Sequence, residues 1–518
     1  MKVRTLLKIA GVAGWNLLTC FALFSASQAQ SATLTNFSPN FGVVGSTVTI
    51  YGNNFGTQTG SVTFNGTAVT QGTWGSKVIT VTVPTGATTG LVKVTPSGGT
   101  GVTSTAAFNV LATNATLVMG AFPPQAKSCS DITGYSGSNC IADYQTDVIK
   151  NGGADGVVIT VPWSKIDLGN SANSGPGCPS DGTSSATCDW GFLDTYVSNY
   201  VSGIGWNSKK KIGIVLSPVT DGGPNASTPT YVLKSAWATS LGVSTPVDQC
   251  TCTSNLAYSG DSGAPAGCWN ASTNSDTSGA PAGFEKPFYV ALEDFYQSAV
   301  NHFNSQVNYL QYLSYVRFGL SGGGETLPYC YEDMKNLAGV VPHTVAQYET
   351  VWTGYANTMY VYEAGLKSQV PIIAAPNGGQ DSNITDDWGD KEAQYALTAG
   401  LSLGSQGLQF QDTIHVFTGL PCSNDWCATF SYTPVPQIKQ QQTLKQSNYL
   451  EGVCGSNTSH GGNYHDTASL ACLLPFIEGK SNSVELYPED MFAAFDSTNY
   501  TGYVSSYATY IANAQSGH

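Results

Sequence analysis

Charge is what this sequence has least of: Asp, Glu, Lys and Arg together make up 10% of its 518 residues, and 20 Lys plus Arg face 34 Asp plus Glu. A protein that tracks phosphates needs a basic stripe. So thin a basic complement, at a formal net charge of -14, excludes that class, and no nucleic-acid partner is expected. Long apolar runs are scarce as well. After Phe24 no segment holds the roughly 20 uninterrupted apolar residues of a membrane helix, so no span is expected in the mature chain. Metal-site spacings are also missing. Cys250-Thr-Cys252 has no second pair, His415, His460 and His465 fit no usual motif, and the aspartates from Asp381 to Asp390 lack the glycine and glutamate of a calcium loop. No metal and no other cofactor is expected.

What is present begins with Lys2, Arg4 and Lys8, which precede an apolar run from Ile9 to Phe24 and the small residues of Ser27-Gln28-Ala29. That order is the pattern of a signal peptide. Residues 1–29 are expected to be removed, leaving a protein that is secreted, periplasmic or held at the cell surface. Of 13 cysteines, 12 remain once Cys20 is gone, an even number suited to an oxidising compartment. Cys129 and Cys140, Cys178 and Cys188, Cys422 and Cys427, and Cys454 and Cys472 are neighbours that could each staple a loop, leaving Cys250, Cys252, Cys268 and Cys330. Spacing alone leaves the connectivity open.

Residues 30–112 read as all β. Short alternating runs such as Thr47-Val-Thr-Ile-Tyr51 and Val78-Ile-Thr-Val-Thr-Val83 are separated by Gly, Asn and Pro, the signature of a small antiparallel sandwich. The stretch from Phe37-Ser-Pro-Asn-Phe41 to Gly52-Asn-Asn-Phe-Gly56, followed by Val62-Thr-Phe-Asn-Gly66 and Val83-Pro-Thr-Gly86, resembles the IPT/TIG family of immunoglobulin-like domains. The resemblance implies a fold without chemistry. Such a domain would act as a rigid spacer, or as an accessory touching a polysaccharide or the cell surface.

From residue 113 to 518 the pattern changes to strands alternating with helices. Expected strands are 116–122, 156–161, 211–216, 315–320, 370–375, 407–411, 449–453 and 483–487, with helices at 193–204, 289–306, 345–367, 390–403, 435–446, 467–477 and from Pro488 onward. That count predicts a (β/α)8 TIM barrel, an α/β fold whose chemistry sits at the carboxyl ends of its strands. The Cys- and Gly-rich stretch at about 220–286 reads as a loop insertion between the third and fourth strands.

In this frame Glu325 follows the fourth strand after Gly322-Gly-Gly324, Glu451 lies on the seventh, and Glu485 on the eighth. Two strand-end carboxyls across one mouth are what glycoside hydrolysis requires: one donates a proton to the leaving oxygen, the other attacks the anomeric carbon or activates water. Glu325 is the expected acid/base and Glu451, or else Glu485, the nucleophile. Retention is expected, which corresponds to a carboxyl separation of about 5 Å, larger separations giving inversion. Sugar rings stack on aromatic faces, which makes Trp163, Tyr329, Trp388 and Trp426 candidate substrate contacts, joined by Asp167 and Asp412. Asp412 is equally suited to capping a helix.

The segment Gly156-Val-Val-Ile-Thr-Val-Pro-Trp-Ser-Lys-Ile-Asp167, with Asp189-Trp-Gly-Phe-Leu-Asp194 after it, resembles the second barrel unit of clan A glycoside hydrolases, and the helix from Pro287 to Phe303 resembles the one that precedes their acid/base strand. The resemblance implies a carbohydrate substrate. It breaks at Gly324, where those enzymes carry the Asn that binds a sugar 2-hydroxyl. Two other readings compete. Gly319-Leu-Ser-Gly-Gly323 has the letters of a nucleophile elbow and would make Ser321 the nucleophile of a serine hydrolase. A barrel that only binds glycans at the cell surface is the other.

Overall fold

The computed structural model describes residues 31–70, 72–121, 134–202, 207–219, 227–243, 285–321, 345–376, 387–405, 439–441 and 482–517, with 129, 132, 249–250, 280–281, 326 and 474 between them. The expected signal peptide and the expected strands 407–411 and 449–453 lie outside these residues.

The amino-terminal strands are Thr33–Ser38 (β1), Phe41–Val43 (β2), Thr47–Asn53 (β3), Ser61–Phe64 (β4), Thr67–Ala68 (β5), Gly72–Trp74 (β6), Val78–Thr82 (β7), Gly90–Thr95 (β8) and Val102–Leu111 (β9). They form two sheets, ordered β1-β3-β7-β6 and β2-β9-β8-β4-β5. The alternation read in the sequence is what builds them: Val48, Ile50, Ile79 and Val81 on one sheet meet Val62, Phe64, Val92 and Val94 on the other, while the threonines between them face outward. Between β4 and β5 the turn is Asn65-Gly66, with φ of 45° and 89°. Both positions need the left-handed region that a two-residue hairpin demands.

The remaining strands are Leu117–Ala121 (β10), Gly156–Pro162 (β11), Lys211–Ser217 (β12), the short hairpin Gln249–Cys250 (β13) and Ala280–Pro281 (β14), then Leu313–Phe318 (β15), Ile372–Ala374 (β16), Ser402–Ser405 (β17), Lys439–Gln441 (β18) and Ser483–Leu486 (β19). Apart from the hairpin, they pair in parallel and in chain order, and the sheet curls until β10 also pairs with β19. Its first four strands are buried apart from Thr160 and the end residues Ala121 and Pro162, as a parallel sheet covered by helices requires. The covering helices include Trp190–Ser202, Lys286–Ser305, Val345–Gly365, Asp387–Ala399, Pro488–Phe495 and Ser505–Ser516.

Three sequence readings are corrected here. The helix expected over 390–403 ends at Ala399, because Gly400 turns left-handed (φ 93°) and releases the chain into β17. The helix expected over 435–446 contains β18. Lys and Gln favour helices by propensity, yet β17 and β19 present open edges that this segment pairs with on both sides. Tertiary pairing overrides the local preference. The stretch at 220–286 is likewise more than loop, since Thr230–Leu233 and Ser235–Ser240 are helical and bury Tyr231, Val232 and Trp237.

The sandwich closes the amino-terminal end of the curled sheet. Phe41, at the start of β2, is 2% exposed and packs with Leu117, Met119, Val158, Val215, Tyr315 and Ile373, which line the inside of the sheet. Around this plug the polar groups are matched. Asn40 donates to the carbonyls of Gln311 (3.1 Å) and Leu313 (3.0 Å), and the Gln311 side chain accepts from the amides of Thr105 (2.8 Å) and Ala106 (3.1 Å). Asn36 donates to the Gln369 carbonyl and Asn109 to that of Lys209.

Lys211, fully buried, donates to the Ala107 carbonyl on β9. Burial pushes its ammonium from 10.5 down to about 7, against the pull of Asp155. The folded state therefore holds fewer protons than the unfolded state between those values, and stability rises with pH across that window. The penalty is complete below about 7. Lys211→Met is expected to raise the melting temperature near pH 6 and to lose that advantage toward pH 10. An equal shift at both ends would show that the amine does not titrate in this window.

Candidate functional site

The inside of the curled sheet is built in layers. The apolar layer around Phe41 forms the floor. Above it Arg317, two residues beyond Tyr315 on β15, reaches Glu485 on β19, with Nη1 and Oε2 3.2 Å apart. In pairing order three strands separate β15 from β19 on one side and three on the other, so this ion pair spans the interior. Both partners are buried, at 1% and 4% exposure. Burial pushes the Glu485 carboxyl up, and the adjacent guanidinium pulls it back down. A buried charge left alone is far worse than a buried pair. Arg317→Met is therefore expected to cost about 3–5 kcal/mol, and Arg317→Met with Glu485→Leu much less than that. Denaturant unfolding of the three proteins checks this, and additive losses would show that the two side chains do not interact.

The carboxyl end of the fourth strand is the second feature. After β15 the chain passes through Gly319, Leu320 and Ser321, all buried. It is described again at Thr326, whose amide donates to the Ala375 carbonyl (2.9 Å) just past β16. Thr326 bridges to Pro376 and is itself fully buried. Glu325, the residue before it, lies outside the described residues, as do Tyr329, Asp412, Trp426 and Glu451. Trp388 stands in the first turn of the helix Asp387–Ala399.

Trp163 and Asp167 are placed differently from the sequence reading. Trp163 is fully buried: Phe295 stacks on it at 5.6 Å and Phe288 meets it edge-on at 5.8 Å. No ring face is left for a sugar. Asp167, 1% exposed, accepts from the amides of Gly169 (3.0 Å) and Gly177 (2.8 Å), from Tyr231 Oη (3.0 Å) and from Trp163 Nε1 (3.3 Å). Burial pushes its carboxyl up and these four donors hold it down. It organises the loop that the Cys178–Cys188 disulfide closes. Trp163 and Asp167 are thus both buried and hydrogen-bonded to each other. Ser321 is 0% exposed, whereas an elbow nucleophile must stand clear of its surroundings.

Arg317 is the site residue that sequence reasoning missed. Its signal was available: a lone arginine inside the apolar strand Tyr315-Val-Arg-Phe-Gly-Leu320 requires a buried counter-charge. The neighbour pairs Cys129–Cys140 and Cys178–Cys188 are disulfide-bonded. Cys422, Cys427, Cys454 and Cys472 lie outside the described residues. Among the described residues no group of His, Cys, Asp and Glu could hold a metal ion, and no helix is long and apolar enough to cross a membrane.

Residues 32–110 match the IPT/TIG domain family, and this part of the chain is an IPT/TIG domain. No curated protein matches the chain. Among solved structures, an auxiliary nutrient binding protein from Bacteroides thetaiotaomicron is 22% identical over 18% of this chain and 24% of its own, with a TM-score of 0.15. The gamma-CGTase of alkalophilic Bacillus clarkii is 26% identical over 20% of this chain and 15% of its own, with a TM-score of 0.16. An endo-1,4-beta-mannanase from Rhizomucor miehei is 10% identical over 82% of this chain and 98% of its own, with a TM-score of 0.38. The chain thus spans a quarter or less of the length of the first two.

Proposed function

We propose that this chain is an exported glycoside hydrolase with a (β/α)8 catalytic domain, in which Glu325 serves as acid/base and Glu451 as nucleophile. The carrying observation is the anchored amide of Thr326 at the carboxyl ends of the fourth and fifth parallel strands, one residue after Glu325. The seventh strand in the order is Lys439–Gln441, so Glu451, expected on that strand, instead comes ten residues after it in the sequence. The carboxyl end of a strand is where such folds do their chemistry. Glu485 takes the lesser role in this reading. Its carboxyl is committed to Arg317, and the pair braces β15 against β19.

In the cycle, the protonated Glu325 gives its proton to the glycosidic oxygen while Glu451 attacks the anomeric carbon. The leaving alcohol departs with that proton, the glycosyl group stays behind as an ester on Glu451, and Glu325, now ionised, takes a proton from the water that hydrolyses the ester. The amino-terminal domain contributes no group to these steps. Its place in this reading is to complete the floor of the catalytic domain.

The test is a panel of plant and bacterial polysaccharides incubated with purified protein, with release of reducing ends as the readout. Release from at least one glycan supports the proposal. Retention of a glycan on the protein without any release favours the glycan-binding reading and overturns the hydrolase.

A further inference from the structure

The segments 189–194 and 287–303 meet in the structure, through residues that the proposed reaction does not use. His302, near the end of the helix Lys286–Ser305, is 2% exposed and faces Asp194 on the helix Trp190–Ser202. Its Nε2 lies 2.8 Å from Asp194 Oδ1, and its Nδ1 lies 2.9 Å from the Gly182 carbonyl. Trp190 stacks flat on the ring, with centroids 4.6 Å apart and planes 9° apart.

Gly182 belongs to the loop 168–189, which leaves the carboxyl end of β11 after the turn Trp163–Ile166 and is closed by the Cys178–Cys188 disulfide. The loop is tied to the exit of β12 as well. Thr230 donates to Asn173 (3.1 Å) and Tyr231 to Asp167 (3.0 Å), while Thr228 donates to the Pro218 carbonyl (2.7 Å). Its tip rests directly on the helix. A Cβ on Gly182 would stand 2.2 Å from the His302 amide nitrogen, and Asn301 Nδ2 donates to the Ser180 carbonyl at 2.6 Å.

The acceptors decide how many protons the ring holds. A carbonyl oxygen has no proton to give, so at 2.9 Å Nδ1 must carry one. Nε2 faces a carboxylate that also accepts from the Tyr309 hydroxyl, so it carries one too. The Gln306 amide, 3.4 Å from Nδ1, and the Tyr309 oxygen, 3.3 Å from Nε2, are the longer and weaker contacts. An imidazole protonated on both nitrogens is a cation, and a flat indole suits one. Among the described residues, Asp194 and Tyr309 are the titratable groups in contact with the ring. The loop brings only its carbonyl, since Asp181 is taken up by the amide and hydroxyl of Thr183.

We propose that His302 is a proton-operated clasp: as an imidazolium it donates to Gly182 and Asp194 at once and holds the disulfide loop against the helix. On losing a proton as pH rises, it releases one of the two. A neutral ring has one N–H for two acceptors, and the acceptor left over faces a lone pair. Because the loop borders the exits of β11 and β12, the clasp sets how firmly that side of the rim is held at the carboxyl ends of the strands. The inference goes beyond the hydrolase reading and holds whichever residues do chemistry there.

Two measurements on the full-length protein test it. Long-range nitrogen–proton correlation of the histidine rings reads both nitrogens, with His302 assigned by the signal missing from His302→Gln. Hydrogen exchange of 168–189, corrected for its intrinsic pH dependence, reads the loop. In acid both nitrogens are expected to be protonated. As pH rises one proton is lost, and at the same midpoint exchange of the loop should quicken on the order of tenfold, the worth of one hydrogen bond from a charged donor, while the helix Ser505–Ser516 stays constant. Asp194→Asn keeps an acceptor without the charge and should move both transitions together to lower pH. Gly182→Ala, which props the loop off the helix at any pH, should leave exchange fast throughout. Where His302→Gln fails to fold, the displaced midpoint in Asp194→Asn identifies the ring instead. Ring nitrogens that are never both protonated, or loop exchange that stays constant while the ring titrates, would overturn the clasp.

Discussion

Glu325→Gln is expected to lower hydrolysis of an unactivated glycan by roughly 10²–10⁴-fold, the range that general acid–base catalysis supplies, while the melting temperature stays where it was. Glutamine keeps the shape and hydrogen-bonding capacity of the side chain and removes only the transferable proton. The deficit should depend on the leaving group. A sugar alcohol leaves as a strongly basic oxygen unless it is protonated, whereas a nitrophenol leaves readily without help, so an aryl glycoside should recover much of the lost rate in the first step. The basic limb of the pH–rate profile belongs to the acid in its protonated form and should disappear with the carboxyl. Ser321→Ala gives the contrast. Ser321 is fully buried, and a serine-directed phosphonate is expected to leave activity untouched. Unchanged turnover in Glu325→Gln would sink the two-carboxylate reading, and covalent labelling of Ser321 would replace it.

The parts of this fold that were legible in the sequence are those whose local chemistry and tertiary setting agree. β11 and β12 are largely apolar, from Val157 to Ile159 and from Ile212 to Leu216, as strands covered on both faces must be. The sandwich announced itself through period-two alternation and the Asn65-Gly66 turn, both written within a few residues of each other. β18 was illegible for the opposite reason. Lys439-Gln-Gln441 carries no apolar residue, and only its two neighbours make it a strand. Trp163 shows the limit of a motif. It was expected to stack on a sugar ring, but whether an indole faces a ligand or Phe288 and Phe295 depends on a helix that begins more than a hundred residues later. The Arg317–Glu485 pair, 168 positions apart, had only half its evidence in either segment. Long-range pairing of charges is not a local pattern.

Phe41 separates a spacer from a structural part, and Phe41→Asp is expected to prevent the full-length protein from folding. The ring is 2% exposed and is surrounded by residues of β10, β11, β12, β15 and β16. A carboxylate there would have no partner in an apolar layer, a cost that exceeds the usual stability of a domain once added to the lost packing. Phe41→Ala is the measurable form of the same change, with an expected loss of about 3–5 kcal/mol. The polar contacts around the ring argue in the same direction. Four hydrogen bonds cross the boundary here: Asn40 donates to the Gln311 and Leu313 carbonyls, and the Gln311 side chain accepts from the Thr105 and Ala106 amides. Pulling the sandwich away would bare these groups together with the apolar floor. A spacer on a flexible joint would melt in its own transition. Here calorimetry of the full-length protein is expected to show one cooperative transition, and Phe41→Ala to move it as a whole. Two transitions, with only one of them shifted by Phe41→Ala, would mean that the domains fold separately. A single shifted transition would make the sandwich the end plate of the curled sheet, and would tie the geometry of the Arg317–Glu485 layer directly above it to the presence of the immunoglobulin-like domain.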